Sequence, residues 1–248
     1  MFVKMNQDSE FIIQHLTNSL GMWLALKEVR QWTAIPEATQ WKEKRMKLKP
    51  WIILFFFSSA LFITLAIFVG AEPVTEWDSA IEQLVRSIHS QLNTILCKAL
   101  SILGKWYGYA AVSCLLFLLP KTRFSVGFPV GCTLGMAIVM NKILKTLLAI
   151  ERPADFRLTQ VHGYSFPSGH AMYGMAFVGM LVYILIIKMK FNWSKLAAVS
   201  FAVLFLLAVG FSRVYLGAHH PSDVIGGYLA GTIILTITIP LHKRLNGH

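Results

Sequence analysis

Long apolar runs separated by short polar stretches dominate the sequence from residue 51 onward. A helix needs about 20 mostly apolar residues to cross a bilayer, and six segments approach that length. They run from Trp51 to Ala71, Trp106 to Pro120, Val126 to Leu148, His170 to Ile187, Leu196 to Val214 and Pro221 to Leu241. The second is short, and we expect it to borrow residues from the preceding helix. The pattern predicts an all-α, six-transmembrane helical bundle over residues 51–248.

Two further segments carry apolar residues on one helical face only. Over residues 9–31 the spacing indicates an amphipathic helix on the inner membrane surface, although an ordinary packed or oligomer-forming helix fits the same pattern. Residues 77–103 predict a second amphipathic helix, which lies on the outer surface and leads into span two. We therefore divide the chain into an N-terminal cytoplasmic or interfacial extension, residues 1–50, and a six-span domain, residues 51–248.

Basic residues predict the orientation, because short cytoplasmic loops carry an excess of Lys and Arg. Such residues cluster before span one, between spans two and three, between spans four and five, and after span six. With six spans, these four regions fall on one side of the membrane. We therefore expect a multi-pass protein of the cell membrane with both termini in the cytoplasm.

Composition agrees with a chain solvated by lipid. Only 14% of the residues are charged, against about 25% in a soluble domain. The net charge of +11 could suggest nucleic acid, but the basic residues flank apolar runs instead of forming a stripe, which argues against that partner. Cys97, Cys114 and Cys132 are isolated and form no C-x-x-C pair, so neither a zinc site nor a disulfide framework is indicated.

Candidate chemistry begins at the outer end of span three and continues to the start of span four. Lys145 and Arg152 place two cations near the outer end of span three, and such a pair suits a phosphate dianion. Each also has an ordinary reading, with Lys145 reaching the headgroups and Arg152 marking a helix end. Ser168, Gly169 and His170 start span four, where free backbone N–H groups bind anions readily. An ordinary N-cap serine followed by an interfacial histidine would give the same sequence pattern.

A third cluster joins spans five and six. Arg213 adds another cation at the same depth, and Asp223 follows His219 by four residues. If that turn is helical, the carboxylate can reach one imidazole nitrogen and leave the other free to attack. An ordinary turn followed by a helix-start aspartate is the alternative. The ordinary readings weaken together, because all three clusters fall on the outer side in a topology derived without them.

These three clusters together resemble the signature of the type 2 phosphatidic acid phosphatase superfamily. The matching elements are Lys145-x6-Arg152-Pro153, Pro167-Ser168-Gly169-His170 and Ser212-Arg213-x5-His219-x3-Asp223. The resemblance covers roughly residues 50–241 and implies a membrane lipid phosphatase. It implies that His219 attacks phosphorus, that Asp223 orients His219, and that His170 protonates the leaving oxygen and then helps to activate water. It implies phosphoryl-oxygen binding by Lys145, Arg152, Ser168, Gly169 and Arg213.

The resemblance also implies that no metal ion or other cofactor is needed, and the sequence offers no carboxylate cluster suited to magnesium. The expected substrate is a lipid phosphomonoester or pyrophosphate, reached from the outer face. Undecaprenyl pyrophosphate and phosphatidylglycerophosphate are the leading candidate substrates, and phosphatidic acid is the next. A phosphotransferase on the same scaffold shares these motifs. A transporter fits less well, because it predicts ionisable residues deep in several spans, whereas here they lie near helix ends.

Overall fold

The described part of the chain, in a computed structural model, comprises residues 49–69, 71–152 and 156–245. In these ranges every regular secondary-structure element is a helix, and the helices are joined by loops. The α-helices are α1 (Pro50–Phe68), α2 (Glu72–Ser87), α3 (Gln91–Leu103), α4 (Trp106–Leu118), α5 (Phe128–Leu148), α6 (Gly169–Lys188), α7 (Asn192–Tyr215) and α8 (Pro221–Leu245). A π-helix at Arg123–Gly127 precedes α5. The amphipathic helix predicted over residues 9–31 lies outside the described residues, and the domain boundary at residue 50 stays a prediction.

Five segments are long and apolar enough to cross a membrane: α1, the π-helix with α5, α6, α7 and α8. Helices α3 and α4 pass the same test only together, as a pair bent by 45° that is either one broken span or a re-entrant loop. The described residues therefore hold five candidate spans, or six if this pair is one span, and the borrowing expected for span two stays a prediction. The structure is that of an all-helical, multi-pass membrane protein, while its orientation stays a prediction.

The prediction of one amphipathic helix over residues 77–103 is wrong, because the structure has two helices there. The chain breaks between α2 and α3, where the Ser90 hydroxyl accepts a hydrogen bond from Asn93 N–H as the N-cap of α3. Tyr215 of α7 reinforces the break, because its hydroxyl accepts from Ser90 N–H at 3.1 Å and its carbonyl oxygen lies 3.1 Å from His89 Nε2. The apolar residues keep a helical spacing across both helices, so the sequence pattern does not show where α2 ends. The break is produced by the N-cap Ser90 and by its contact with Tyr215.

Helix α8 lies at the centre of the bundle and packs on α6, α1 and α5. Its small residues permit the closest of these approaches, since a Cβ on Gly227 would meet Ser168 O at 2.6 Å. A Cβ on Gly231 would likewise meet Met175 Cβ at 2.7 Å. Small residues four apart let membrane helices approach through their backbones. This close contact sets the N-terminus of α6 beside that of α8, and both carry predicted site residues.

Candidate active site

A buried imidazole–carboxylate pair lies at the start of α8. His219 Nδ1 is 3.2 Å from Asp223 Oδ2. The same carboxylate oxygen accepts hydrogen bonds from His220 N–H, at 2.8 Å, and from the Ser165 hydroxyl. A carboxylate facing Nδ1 selects the tautomer that carries its proton there. The lone pair of His219 is therefore on Nε2, the nitrogen that faces away from Asp223.

The Nε2 side of His219 faces Arg152, whose NH1 atom lies 3.3 Å away. Arg152 is itself held by backbone, donating to Ala218 O at 2.6 Å and to Gly163 O at 2.8 Å. Burial, together with the charges of Arg152 and Lys145, holds the pKa of His219 well below its usual range. His219 is therefore a neutral imidazole at physiological pH, which is the form that can act as a nucleophile.

Two buried hydrogen-bond donors near this imidazole lack a partner. Among the described residues, Ser168 Oγ and Arg213 Nε are enclosed by protein and make no hydrogen bond. The rest of the Arg213 guanidinium is anchored, since NH1 donates to the Ser101 hydroxyl. Buried donors without partners are rare because each costs roughly 1–3 kcal/mol. Each of these donors is therefore available to an oxygen-rich anion.

Lys145 and Gly169, two further predicted phosphate-binding residues, also make structural contacts. The Lys145 ammonium donates to the carbonyl oxygens of Tyr164 and Ser165, the latter at 2.8 Å. An ammonium has three N–H donors, so one remains for a ligand. A Cβ on Gly169 would lie 3.0 Å from Tyr173 Cε2, so the absent side chain makes room for this ring. That contact gives a packing reason for the glycine.

His170 lies at the N-terminus of α6, and the Ser168 N–H donates to Asp223 O at 2.9 Å to join this end to α8. His170 Nε2 lies 3.1 Å from Ser101 O. Because a carbonyl oxygen only accepts, Nε2 carries the proton and Nδ1 is the nitrogen left for chemistry. The structure thus brings both histidines to one end of the bundle.

Several residues around the site were not predicted from the sequence. Ser165 contacts both Asp223 Oδ2 and, at 3.3 Å, His219 Nδ1. Ser101 of α3 holds both Arg213 and His170. Neither serine has a sequence signal of its own, beyond the position of Ser165 two residues before Pro167.

Two acidic residues of α2 hold the start of α8. Asp78 accepts from Ser222 N–H at 2.8 Å and from the Ser222 hydroxyl at 2.6 Å. Burial raises the pKa of Asp78, although both hydrogen bonds oppose that rise. Glu82 Oε1 lies 2.7 Å from His220 Nδ1. Since Asp78 and Glu82 are four residues apart, they share one face of α2, and that spacing is the signal that could have identified them.

The His220–Glu82 pair predicts a pH-dependent stability. Burial alone would lower the pKa of His220, but the hydrogen bond to Glu82 and the carboxylates of Asp223 and Asp78 outweigh it, so the pKa is raised. A histidine whose folded-state pKa is raised stabilises the fold fully below its unfolded pKa of about 6.5, and that contribution is lost as pH rises through the folded pKa. We expect Glu82→Gln to lower the unfolding temperature by about 2–4 °C at pH 6 and by less at pH 9.

Thermal unfolding in detergent at both pH values measures this difference. Glu82→Gln also removes the Arg86–Glu82 pair, at 3.6 Å, so the test rests on the difference between the two pH values. Glu76→Gln is the matched control, because Glu76 is an exposed residue of the same helix. An equal destabilisation by Glu82→Gln at pH 6 and pH 9 would contradict the assignment.

Comparison with known proteins places these residues in a wider context. Residues 126–246 match the family described as the PAP2 superfamily. The chain is 30% identical over 204 residues to an undecaprenyl-diphosphatase of Sulfolobus acidocaldarius, covering 78% of this chain and 91% of that protein. It is 35% identical over 113 residues to phosphatidylglycerophosphatase B of Bacillus subtilis, covering 45% of this chain and 55% of that protein.

A solved structure has the same fold over most of its length. It is the crystal structure of a transmembrane PAP2-type phosphatidylglycerolphosphate phosphatase from Bacillus subtilis. The TM-score is 0.68 at 26% sequence identity, and the alignment covers 79% of this chain and 96% of that one. The helical architecture described above is therefore shared with a membrane phosphatase.

Proposed function

The chain belongs to the PAP2 superfamily, and from this premise we propose that it hydrolyses a phosphomonoester or pyrophosphate of a membrane lipid through a phosphohistidine intermediate. The relatives support a membrane lipid phosphatase as the class. The candidate lipids are undecaprenyl pyrophosphate, phosphatidylglycerophosphate and phosphatidic acid. The site faces the outside of the cell membrane, and both termini are cytoplasmic.

In the first step His219 Nε2 attacks phosphorus. A P–N bond forms while the bond from phosphorus to the leaving oxygen breaks, and His170, which enters this step as an imidazolium protonated on both nitrogens, gives that oxygen its Nδ1 proton. Asp223 accepts the hydrogen bond from Nδ1 and stabilises the positive charge that the ring acquires. In the structure an N–H of Arg152 faces the His219 Nε2 lone pair at 3.3 Å. When substrate binds, this N–H donates its hydrogen bond to a phosphoryl oxygen instead.

In the second step water attacks the phosphohistidine. His170, now unprotonated at Nδ1, takes a proton from that water, the P–N bond breaks, and inorganic phosphate leaves. Lys145, Arg152, Ser168, Arg213 and the backbone at Gly169 bind the phosphoryl oxygens in both steps. Once Arg152 has turned its N–H to the substrate, these groups are in place and stabilise the transition state without further rearrangement. We propose that their charges serve in place of a metal ion.

One observation carries the proposal above the others. A neutral imidazole, backed by a fully buried carboxylate, lies next to a buried hydroxyl and a guanidinium nitrogen that have no other hydrogen-bond partner among the described residues. A nucleophile on one side and unused donors on the other suit a tetrahedral oxyanion. A purely structural polar cluster would satisfy those donors internally.

Phosphate release from a panel of lipid phosphates, measured in detergent with excess chelator, tests this function. We expect release from at least one candidate lipid, undiminished by the chelator. Added magnesium restoring an activity that the chelator abolishes would contradict the metal-free mechanism. No release from any of the lipids would contradict the hydrolase.

The phosphotransferase alternative needs a separate measurement on the same scaffold. Free phosphate is compared with and without candidate hydroxyl acceptors, because a transferase passes the phosphoryl group from His219 to an acceptor other than water. Release that requires an acceptor would favour the transferase.

A further inference from the structure

A polar cavity of about 350 Å³ adjoins the proposed catalytic groups. His170 and Arg213 form one wall, while Lys98, Ser101 and Lys105 line it from α3 and its junction with α4. This junction lies directly against the catalytic histidine, because a Cβ on Gly104 would be 3.1 Å from His170 Cδ2. The bent pair of helices α3 and α4 is thus part of the site, although its residues match none of the three sequence clusters.

The two lysines of this wall carry charge that the protein does not neutralise. Lys98 and Ser101 are three residues apart on α3, Lys105 follows at the junction with α4, and all three line this cavity. Among the described residues, neither lysine forms a salt bridge and no acidic side chain lines the cavity. A cavity with cations on two walls and no carboxylate suits an anion.

The phosphoryl group at His219 does not need these lysines. Lys145, Arg152 and Arg213 already surround that position with three cations, against the single negative charge of Asp223. The three cations and Asp223 together carry a net charge of +2 (3 − 1), which balances the two negative charges of a phosphate dianion. Lys98 and Lys105 are therefore left for a second anionic group on the same substrate.

The position of the lysines indicates which group that is. Ile102 lines both the polar cavity and an apolar groove of about 560 Å³ between α4, α6 and α7. Lys105 Nζ lies 5.4 Å from the ring centroid of Tyr107, which also lines the groove. Moving outward from His219, a substrate would meet His170, then the lysines, then an apolar surface.

We propose that Lys98 and Lys105 bind the inner phosphate of a lipid diphosphate, so that the preferred substrate carries two linked phosphates. This inference rests on the proposed function and names its substrate class. His219 attacks the outer phosphorus, the bond to the bridging oxygen breaks, and His170 protonates that oxygen. Water then releases the outer phosphate, and the lipid monophosphate is the other product.

Farnesyl diphosphate and farnesyl phosphate, which share one hydrocarbon chain, are the test substrates. For the double variant Lys98→Gln/Lys105→Gln we expect the ratio of kcat/KM values, diphosphate over monophosphate, to fall by about tenfold, as lost charged hydrogen bonds predict. Inorganic pyrophosphate should likewise inhibit the wild type more strongly than inorganic phosphate does, and the variant should lose that difference. Lys142→Gln is the matched control, since Lys142 is exposed on α5 and lines neither cavity.

The possible outcomes distinguish a failure of this inference from a failure of the proposed lipid phosphatase function. An unchanged ratio in the double variant would overturn the role of the lysines. A wild type that hydrolyses the monophosphate, or phosphatidylglycerophosphate, better than the diphosphate would overturn the substrate class while leaving the phosphatase intact. Failure of the wild type on every lipid would instead reject the hydrolase itself.

Discussion

Replacing His219 with alanine will lower lipid phosphate hydrolysis by at least about 10⁴-fold, because removing a nucleophile leaves only the residual effect of binding and charge. Two neighbouring described residues that carry possible nucleophiles are engaged elsewhere. Ser165, which lies 3.3 Å from Nδ1, is committed to Asp223, and the His220 imidazole faces Glu82. Phosphate release per folded protein, with the unfolding temperature as a check on folding, measures this loss. Activity retained by the variant would reject His219 as the nucleophile.

The intermediate can be trapped through the other histidine. With p-nitrophenyl phosphate, the leaving group needs no proton, so His170→Asn should still form the phosphohistidine while losing the general base that hydrolyses it. We expect radiolabelled, acid-labile phosphate to accumulate on the His170→Asn protein and to be absent from the double variant His170→Asn/His219→Asn. Label on the double variant would place the phosphoryl group on another residue.

Asp223→Asn should lower kcat by about 10³–10⁴-fold with little effect on KM, by analogy with the loss of an orienting carboxylate in a hydrolase triad. The amide no longer stabilises the positive charge that forms on His219. It can also present N–H to Nδ1, which would move the imidazole proton to Nε2 and remove the attacking lone pair. The split between kcat and KM distinguishes this effect from loss of substrate binding.

Asp78→Asn is the matched control for that variant. Asp78 of α2 is also a buried carboxylate that contacts the start of α8, but its hydrogen bonds come from Ser222 and not from the imidazole. We expect Asp78→Asn to lower the unfolding temperature while retaining far more turnover than Asp223→Asn. Equal losses of kcat in the two variants would mean that Asp223 acts only by holding the helix start.

Membrane architecture could be predicted from the chain alone because the relevant property is local. Each span needs its own run of apolar residues, as α1 illustrates with exposed Phe56 and Phe57 facing outward. The motif residues were also identifiable, since Lys145, Arg152, His170, Arg213, His219 and Asp223 are ionisable groups near span ends, where such groups are costly. The four-residue spacing of His219 and Asp223 even predicted which pair meets.

Contacts between distant segments could not be predicted in the same way. The break before α3 depends on Tyr215, about 125 residues away, and the partners of Arg213 and His170 come from Ser101. Continuous helical periodicity across residues 77–103 gave no warning of that break. The two carboxylates of α2 contact His220 and Ser222, which lie 138 and 144 residues away along the chain, so these partners could not be predicted.

The amino-acid sequence by itself determined the apolar segments, the helical class and the candidate reactive side chains, because hydrophobicity and residue type need no partner to be recognised. Only the tertiary structure decided which donors remain unused, which nitrogen of each histidine is free, and that Lys98 and Lys105 lie beside the catalytic groups. Those properties depend on what each atom contacts. Close packing of α6 on α8 and the bend between α3 and α4 supply those contacts.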